Sequence, residues 1–341
     1  MELFFHLTLF VFWTLFGSFA SVLIYRIKSW ESGILAWRSH CKNCDRDLSA
    51  FELVPIFSWL FQEWKCKWCK QKISAIYPLL EISTGILFTL VWVFLINSSL
   101  IFTGDVWEWL RLIFFSMLMF LTIVYVFYDI LYLEIPESIL LWANILTLWA
   151  LILQWYWFAI FPYLSIWWLD TISLILSLWI IAALYTIMLT WLREIWDCII
   201  LMLCIWVLAG YFILYVPYGF YSWNPVPFTA LLSGSIAALW IFISFFLQIV
   251  LSRWRAMWWW DLRIAILMWL IVGTWFAFPA WMICYLIGSI IGIIIILRSK
   301  IKNWISSQFQ HQVPFGPFIA SWYLTVLFFF PEISKFIEWY L

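Results

Sequence analysis

Four cysteines form the strongest chemical pattern in the sequence. Cys41 and Cys44 make one C-x-x-C pair, Cys66 and Cys69 make a second, and 21 residues separate the two pairs. This is close to the spacing of zinc ribbons, and four thiolates complete the tetrahedral coordination of Zn²⁺ in a closed structural site. His40 is then not needed as a ligand. Two disulfides are the alternative, which a reducing cytosol disfavours.

Three further cysteines, Cys198, Cys204 and Cys284, lie in apolar stretches. A free cysteine in such a stretch behaves as a small hydrophobic residue. We therefore predict that these three cysteines are small apolar packing residues.

Two aspartates at the ends of apolar stretches are candidates for acid–base chemistry. Asp129 directly follows one stretch, and Asp261 directly precedes another. At equal depth the two carboxylates could share one water and one proton, which would let the pair activate the water and protonate a leaving amine. Spacing alone favours a simpler interpretation, in which both are interfacial charges that end helices.

Other acidic residues have simpler explanations. Glu81 lies inside an apolar stretch, where it needs a loop cation or a backbone group as a partner. Glu134 and Glu137 are expected to be solvated loop residues.

The composition of the chain indicates a membrane protein. The chain has 341 residues, of which 67% are hydrophobic and only 11% charged, against roughly 45–50% and 25% in soluble domains. A soluble enzyme and a nucleic-acid binder are thereby excluded, and membrane lipid is the expected surrounding. We predict an all-α, polytopic bundle of about ten transmembrane helices. They cover residues 3–25, 78–100, 110–128, 138–160, 171–191, 198–216, 228–250, 264–278, 281–297 and 315–330.

The basic residues predict the orientation of the bundle. When alternate loops are assigned to alternate sides, every Lys and Arg except Arg111 and Lys335 falls on one side, which the positive-inside rule makes cytoplasmic. We therefore predict a first transmembrane helix at 1–25, a cytoplasmic zinc loop at 26–77 and a transmembrane domain at 78–341.

Several ordered sequence blocks extend this interpretation. They are GSFASVLIYR at 17–26, RSHC at 38–41 followed by the cysteine pairs, YPLLEISTG at 77–85, an aspartate motif at 129–137 that ends in IPE, WWWD at 258–261, and PFGPFIA at 314–320. In this order the blocks resemble those of the prepilin peptidase family, the type IV leader peptidases. The resemblance covers nearly the whole chain.

The resemblance implies a bifunctional enzyme of the bacterial cytoplasmic membrane. It would cleave the leader peptides of type IV prepilins and pseudopilins on the cytoplasmic side, and then N-methylate the new N-terminal residue with S-adenosylmethionine. Asp129 and Asp261 match the family's catalytic aspartates, so the resemblance favours the paired-carboxylate interpretation. The four cysteines of the loop match its metal ligands, in a domain linked to methylation. No motif identifies the methyl-donor site.

The sequence departs from the family in the number of spans between the two aspartates. The family has two there, whereas four are predicted here, with the extra pair near 155–225. Because an even number is added, Asp129 and Asp261 still reach the same side of the membrane.

A second departure is the use of Trp where the family has Gly. The chain has 31 Trp and only 11 Gly, and the exchanged positions are Trp13, Trp37, Trp64, Trp142, Trp240, Trp258, Trp260, Trp269 and Trp322. Some bacteria read the codon UGA as Gly, and a translation that reads UGA as Trp produces this exchange. Trp59 matches the family as Trp.

Two other functions remain as alternatives. If Trp258, Trp259 and Trp260 are real, their rings leave little room beside Asp261, and the chain is an inactive homologue that serves as a prepilin-binding scaffold. A transporter that uses Asp129 and Asp261 as ion sites is disfavoured by the ordered blocks and the zinc loop.

Overall fold

The predicted all-α class is confirmed by the computed structural model. The structure describes residues 2–29, 39–156, 160–161, 171–190, 230–251, 259–301, 314 and 316–340. Within these ranges the regular elements are helices, together with two isolated antiparallel bridges, His40 with Asp47 and Lys65 with Lys72.

The helices of the described residues follow the apolar stretches of the sequence. They are α1 Glu2–Ser29, α2 Phe57–Phe61, α3 Ile76–Leu90, α4 Ser98–Phe102, α5 Val106–Tyr132, α6 Glu137–Tyr156, α7 Thr171–Thr190, α8 Ala230–Leu251, α9 Trp259–Ile301 and α10 Gly316–Tyr340. A 3₁₀ turn at Ala50–Leu53 precedes α2, and a π turn at Val91–Leu95 extends α3.

Five of the described segments are long and apolar enough to cross a membrane. They are Phe4–Ser29, Ile76–Leu95, Val106–Tyr132, Leu231–Gln248 and Gly316–Ile333, and shorter apolar helices occur at Glu137–Leu151, Leu174–Leu184 and Ile264–Gly273. These helices fit a multi-pass membrane protein. The predicted span at 198–216 lies outside the described residues.

The predicted spans 264–278 and 281–297 form one helix, α9, whose kink lies at Gly273 and not at Pro279 between the two spans. Gly273 has φ 73° and ψ 177°, while the helix continues on either side of it. Glycine adopts positive φ without a steric penalty because it has no Cβ. The kink is therefore placed where the backbone is free to bend.

The chain forms two compact units, Met1–Leu141 and Trp142–Leu341. In the first unit α1, α3 and α5 pack on one another, and the core includes Phe115, Leu118 and Tyr125, each fully buried. In the second unit α9 packs on both α8 and α10, and α7 packs on α8.

Helix pairs in both units approach closely at a glycine. A Cβ placed on Gly17 of α1 would lie 2.6 Å from the Cα of Glu81 in α3, and one on Gly234 of α8 would lie 2.5 Å from the carbonyl oxygen of Leu270 in α9. Small residues allow this close packing, which stabilises helix association in a membrane. The glycine of the first sequence block is therefore a packing residue that brings α1 against the buried carboxylate of α3.

Gly17→Ala should destabilise the first unit by about 1–3 kcal/mol, because a methyl group would be forced against the α3 backbone. Thermal unfolding of the purified protein in detergent measures the change in midpoint. The control is Ser83→Ala on α3, whose hydroxyl donates only to Leu79 of its own helix. Equal midpoints for Gly17→Ala and the parent protein would contradict the close approach.

Candidate functional site

The four cysteines of the loop lie together. Their Sγ atoms are all within 4.8 Å of one another, and those of Cys41 and Cys69 are 3.9 Å apart. With a Zn–S bond of about 2.3 Å, a tetrahedral zinc site places its sulfurs about 3.8 Å apart. All four are free thiols, so the structure favours the metal site over two disulfides.

Two turns of equal geometry present the thiols. The backbone N–H of Cys41 donates to the carbonyl of Arg46 at 2.9 Å, and that of Cys66 donates to the carbonyl of Gln71 at 2.9 Å. A return bond to each of these cysteine carbonyls, of 2.9 and 3.1 Å, closes the two turns. Each C-x-x-C pair therefore forms a knuckle that aims two sulfurs at one point.

A left-handed residue ends each knuckle. Asp45 has φ 50° and follows Cys44, and Lys70 has φ 57° and follows Cys69. This conformation reverses the chain after the second cysteine of each pair. The two knuckles thus have similar backbone conformations.

The protonation of the thiols differs across the cluster. The backbone N–H of Gln71 and the side chain of Asn43 lower the pKa of the Cys69 thiol to about 6. At Cys44 the N–H of Arg46 favours the thiolate, but burial and the neighbouring thiols prevail and raise its pKa to about 11. A zinc ion would deprotonate all four thiols, because bound thiols ligate as thiolates.

Glu52 is a buried loop residue that the sequence analysis missed. Its Oε2 accepts hydrogen bonds from the Ser49 backbone N–H at 2.9 Å, from the Ser49 hydroxyl at 2.8 Å and from Arg46 at 3.0 Å. The Ser49 N–H is the main cause of a lowered Glu52 pKa. The other carboxylate oxygen of Glu52, Oε1, is buried and has no hydrogen-bond partner. The S-x-x-E pattern at 49–52, a capping-box signature, is the signal that indicates this residue.

Glu81 binds a backbone group, one of the two partners predicted for it. Its Oε2 accepts a hydrogen bond of 2.7 Å from the backbone N–H of Ile56, although Glu81 lies in the apolar helix α3. The side chain is only 8% exposed. This bond ties the zinc loop to α3.

A cavity of about 390 Å³ lies between the loop and helices α1 and α3. Aromatic and charged residues line it together, among them Tyr25, Arg26, Lys42, Glu52, Trp59, Lys72, Tyr77 and Glu81. The Nζ atom of Lys42 lies 4.0 Å from the ring centroid of Tyr25. The cavity belongs entirely to the first unit.

The two candidate catalytic aspartates are both buried. Asp129 lies in the last turn of α5 and is 5% exposed, and Asp261 lies in the first turn of α9 and is 7% exposed. A buried carboxylate needs a hydrogen-bond or charge partner. Asp129 belongs to the first compact unit and Asp261 to the second, and their pairing stays a prediction.

The remaining residues singled out in the sequence are placed as follows. Glu134 pairs with Lys28 at 2.6 Å on the exposed surface, so it is more than a solvated acid. Cys284 is buried, with its Sγ 3.6 Å from the Phe318 carbonyl oxygen. Cys198 and Cys204 lie outside the described residues.

Three of the tryptophans at family glycine positions are poorly accommodated. Trp64 has φ 52°, in the left-handed region that favours glycine and in which a bulky residue is an outlier. The indole Nε1 atoms of Trp269 and Trp322 are buried without a hydrogen-bond partner, which costs about 1–3 kcal/mol each. By contrast, Trp59 donates its Nε1–H to the Ile73 carbonyl at 3.2 Å. The one Trp that fits the family pattern is also satisfied in the structure.

Comparison with known proteins finds relatives that are similar to part of the chain. Residues 11–95 match the family model described as the bacterial peptidase A24 N-terminal domain. A prepilin leader peptidase/N-methyltransferase of Bacillus subtilis is 46% identical over 80 residues, which are 24% of this chain and 32% of that protein. One of Myxococcus xanthus is 40% identical over 80 residues, 24% of each chain. One of Pectobacterium carotovorum is 29% identical over 153 residues, 38% of this chain and 51% of that protein.

These matches confirm the resemblance to the prepilin peptidase family over part of the chain. The aligned region spans less than a third of the length of the Bacillus and Myxococcus relatives. No solved structure matches the chain.

The purified protein should contain about one zinc ion per chain, bound by Cys41, Cys44, Cys66 and Cys69. The apolar side chains of the loop cannot replace it, because Phe51, Phe61 and Trp68 are 83%, 84% and 74% exposed and form no core. Metal analysis by mass spectrometry measures the content, and Cys41→Ser should lower it. A metal-free protein with all four thiols in disulfides would contradict the zinc site.

If UGA is read as Gly, the codons for Trp64, Trp258, Trp259, Trp260 and Trp322 should be UGA, and that for Trp59 should be UGG. Mass spectrometry of the native protein would then find Gly at the UGA positions, and at Trp64 the strained left-handed backbone would be relieved. A native peptide over residues 256–263 that contains three Trp would refute this prediction.

Proposed function

We propose that this chain is a membrane aspartyl endopeptidase that removes the leader peptides of type IV prepilins and pseudopilins and then N-methylates the new N-terminal residue. The observation that carries the proposal is the thiol cluster, which forms inside the segment that matches the A24 N-terminal domain. Relatives of that segment carry the name prepilin leader peptidase/N-methyltransferase. The enzyme would lie in the bacterial cytoplasmic membrane with its active site toward the cytoplasm, as the distribution of basic residues predicts.

In the proposed cleavage step, Asp129 and Asp261 share one proton. The ionised carboxylate takes a proton from a water molecule, whose oxygen attacks the carbonyl carbon of the scissile peptide bond. The protonated carboxylic acid then gives its proton to the leaving amine, and the C–N bond breaks. The pair ends with one proton, as it began, because the first carboxylate has gained the proton that the second has lost.

The helix ends that carry the two aspartates support different roles for them. Asp261 lies in the first turn of α9, where the positive end of the helix dipole stabilises a negative charge. Asp129 lies in the last turn of α5, where the dipole has the opposite sign. We therefore infer that Asp261 activates the water and that Asp129 protonates the leaving amine.

The zinc site would hold the loop in the form needed for methyl transfer. Cys41, Cys44, Cys66 and Cys69 would be its ligands, and the metal supplies a rigid tetrahedral link between the two knuckles. The new amino terminus of the pilin would receive its methyl group from S-adenosylmethionine.

Asp129→Asn or Asp261→Asn should abolish leader cleavage, with a loss of at least about 10²-fold, because general acid–base catalysis contributes roughly 10²–10⁴-fold. Cleavage of a purified prepilin by the enzyme in detergent, followed by gel shift, measures this. Glu134→Gln is the matched control, since Glu134 is an exposed acid near Asp129 in the sequence and its carboxylate pairs with Lys28.

The two activities should also separate. Cys41→Ser should weaken methylation of a pre-cleaved pilin more than it weakens leader cleavage, because the loop is the part linked to methyl transfer.

Equal cleavage by Asp261→Asn and the parent enzyme would refute the aspartate pair.

The alternative of an inactive, prepilin-binding scaffold rests on one specific feature. Trp259 and Trp260 directly precede Asp261 in the sequence, and large rings there would obstruct an extended substrate. A native protein that contains these tryptophans, binds prepilin and does not cleave it would favour the scaffold.

A further inference from the structure

The cavity between the zinc loop and helices α1 and α3 has the size of a small-molecule site. Its volume of about 390 Å³ falls in the range of roughly 300–1,000 Å³ that is typical of ligand pockets. Neither Asp129 nor Asp261 is among the residues that line it. The cleavage chemistry therefore does not account for it.

Glu52, one of the residues that line this cavity, has an unused hydrogen-bond acceptor. Glu52 lines the cavity and its side chain is only 2% exposed. Its Oε2 receives three hydrogen bonds, whereas its Oε1 is buried without any. A buried carboxylate oxygen without a donor is costly, so this oxygen is positioned to accept a hydrogen bond from a positively charged amine.

The rest of the lining suits a ligand that is both aromatic and zwitterionic. Trp59 supplies an aromatic ring on which a planar base can stack. The Nζ atom of Lys42 lies over the rings of Tyr25 and Tyr77, 4.0 and 5.6 Å from their centroids. Lys42 and Lys72 supply positive charge for a carboxylate. An amino acid joined to a nucleoside has all three features in one molecule: a base, an amine and a carboxylate.

We propose that this cavity binds S-adenosylmethionine, with its α-amino group donating to Glu52 Oε1. The inference rests on the methyl transfer of the proposed function and adds the location of the methyl donor. It also gives the zinc knuckles a direct role, because Cys41 and Cys66 lie in the wall of the same cavity.

Ser21→Leu tests the cavity without removing a tertiary contact. Ser21 lines the cavity, and its hydroxyl donates only to the Ser18 carbonyl of its own helix. Leucine would fill part of the space. The matched control is Ser83→Leu on α3, which also loses only an intrahelical bond and does not line the cavity.

Binding of radiolabelled S-adenosylmethionine to the full-length, zinc-loaded protein is measured by equilibrium dialysis. Ser21→Leu should weaken it at least about tenfold by steric exclusion, while Ser83→Leu binds as the parent does. Unchanged zinc content in both variants shows that the loop is folded. Binding by Ser21→Leu that equals the parent's would overturn the proposal.

Glu52→Gln tests the position of the amine. It should weaken S-adenosylmethionine binding about tenfold, as expected for loss of a charged hydrogen bond, and leave binding of 5′-methylthioadenosine unchanged, because that nucleoside has no amino-acid group. An equal loss for both ligands would overturn the assignment of the amine to Glu52.

Binding and methylation assays distinguish a wrong cavity assignment from the absence of methyltransferase activity. If the parent methylates pilin and Ser21→Leu shows an unchanged KM for the methyl donor, the cavity is the wrong site and the methyltransferase stands. If the parent neither binds S-adenosylmethionine nor methylates a cleaved pilin, both the methyl-transfer step and the cavity assignment are refuted.

Discussion

The close contact of α1 with α3 is the constraint on which the first unit depends. Gly17 faces the Cα of Glu81 with no room for a Cβ, and Glu81 in turn accepts the Ile56 N–H from the loop. The helix pair and the loop are therefore coupled through one residue. A carboxylate inside an apolar helix is costly, and here the cost is offset because the side chain holds the loop against the helices.

The loop compensates for its lack of an apolar core with polar links. Phe51, Phe61 and Trp68 point outward, so hydrophobic burial contributes little to its stability. Its order comes instead from the four thiols, the Glu52 network and the Glu81 bond. Such a loop is well suited to a binding role, because the side chains that order it also line a cavity of mixed charge.

The second unit contains tryptophans whose side chains are poorly accommodated. Its helices pack closely where glycine is present, as at Gly234 against Leu270. At Trp269 and Trp322, two of the positions where the family has Gly, the indole N–H groups are buried without acceptors. These observations agree with a reading of UGA as Gly, because glycine would carry no side-chain donor to satisfy. Trp64 in the first unit also agrees with Gly at this position, because its backbone is left-handed, a conformation that favours glycine.

The sequence by itself determined the membrane class, the helical fold and the thiol cluster. The apolar composition requires a lipid membrane around the chain. The spacing of Cys41, Cys44, Cys66 and Cys69 predicts two knuckles, because each C-x-x-C turn is a local structure. Other features depended on contacts between distant segments. The choice of a backbone partner for Glu81 required the loop to fold back on α3.

The unused oxygen of Glu52 and the cavity beside it could only be found in the tertiary structure. A capping-box pattern at 49–52 indicates a local hydrogen bond, but it does not reveal that one carboxylate oxygen is left over. In the folded protein that oxygen is buried and has no hydrogen-bond partner. Burial of a polar atom is set by segments far apart in the chain, and local sequence patterns do not encode it.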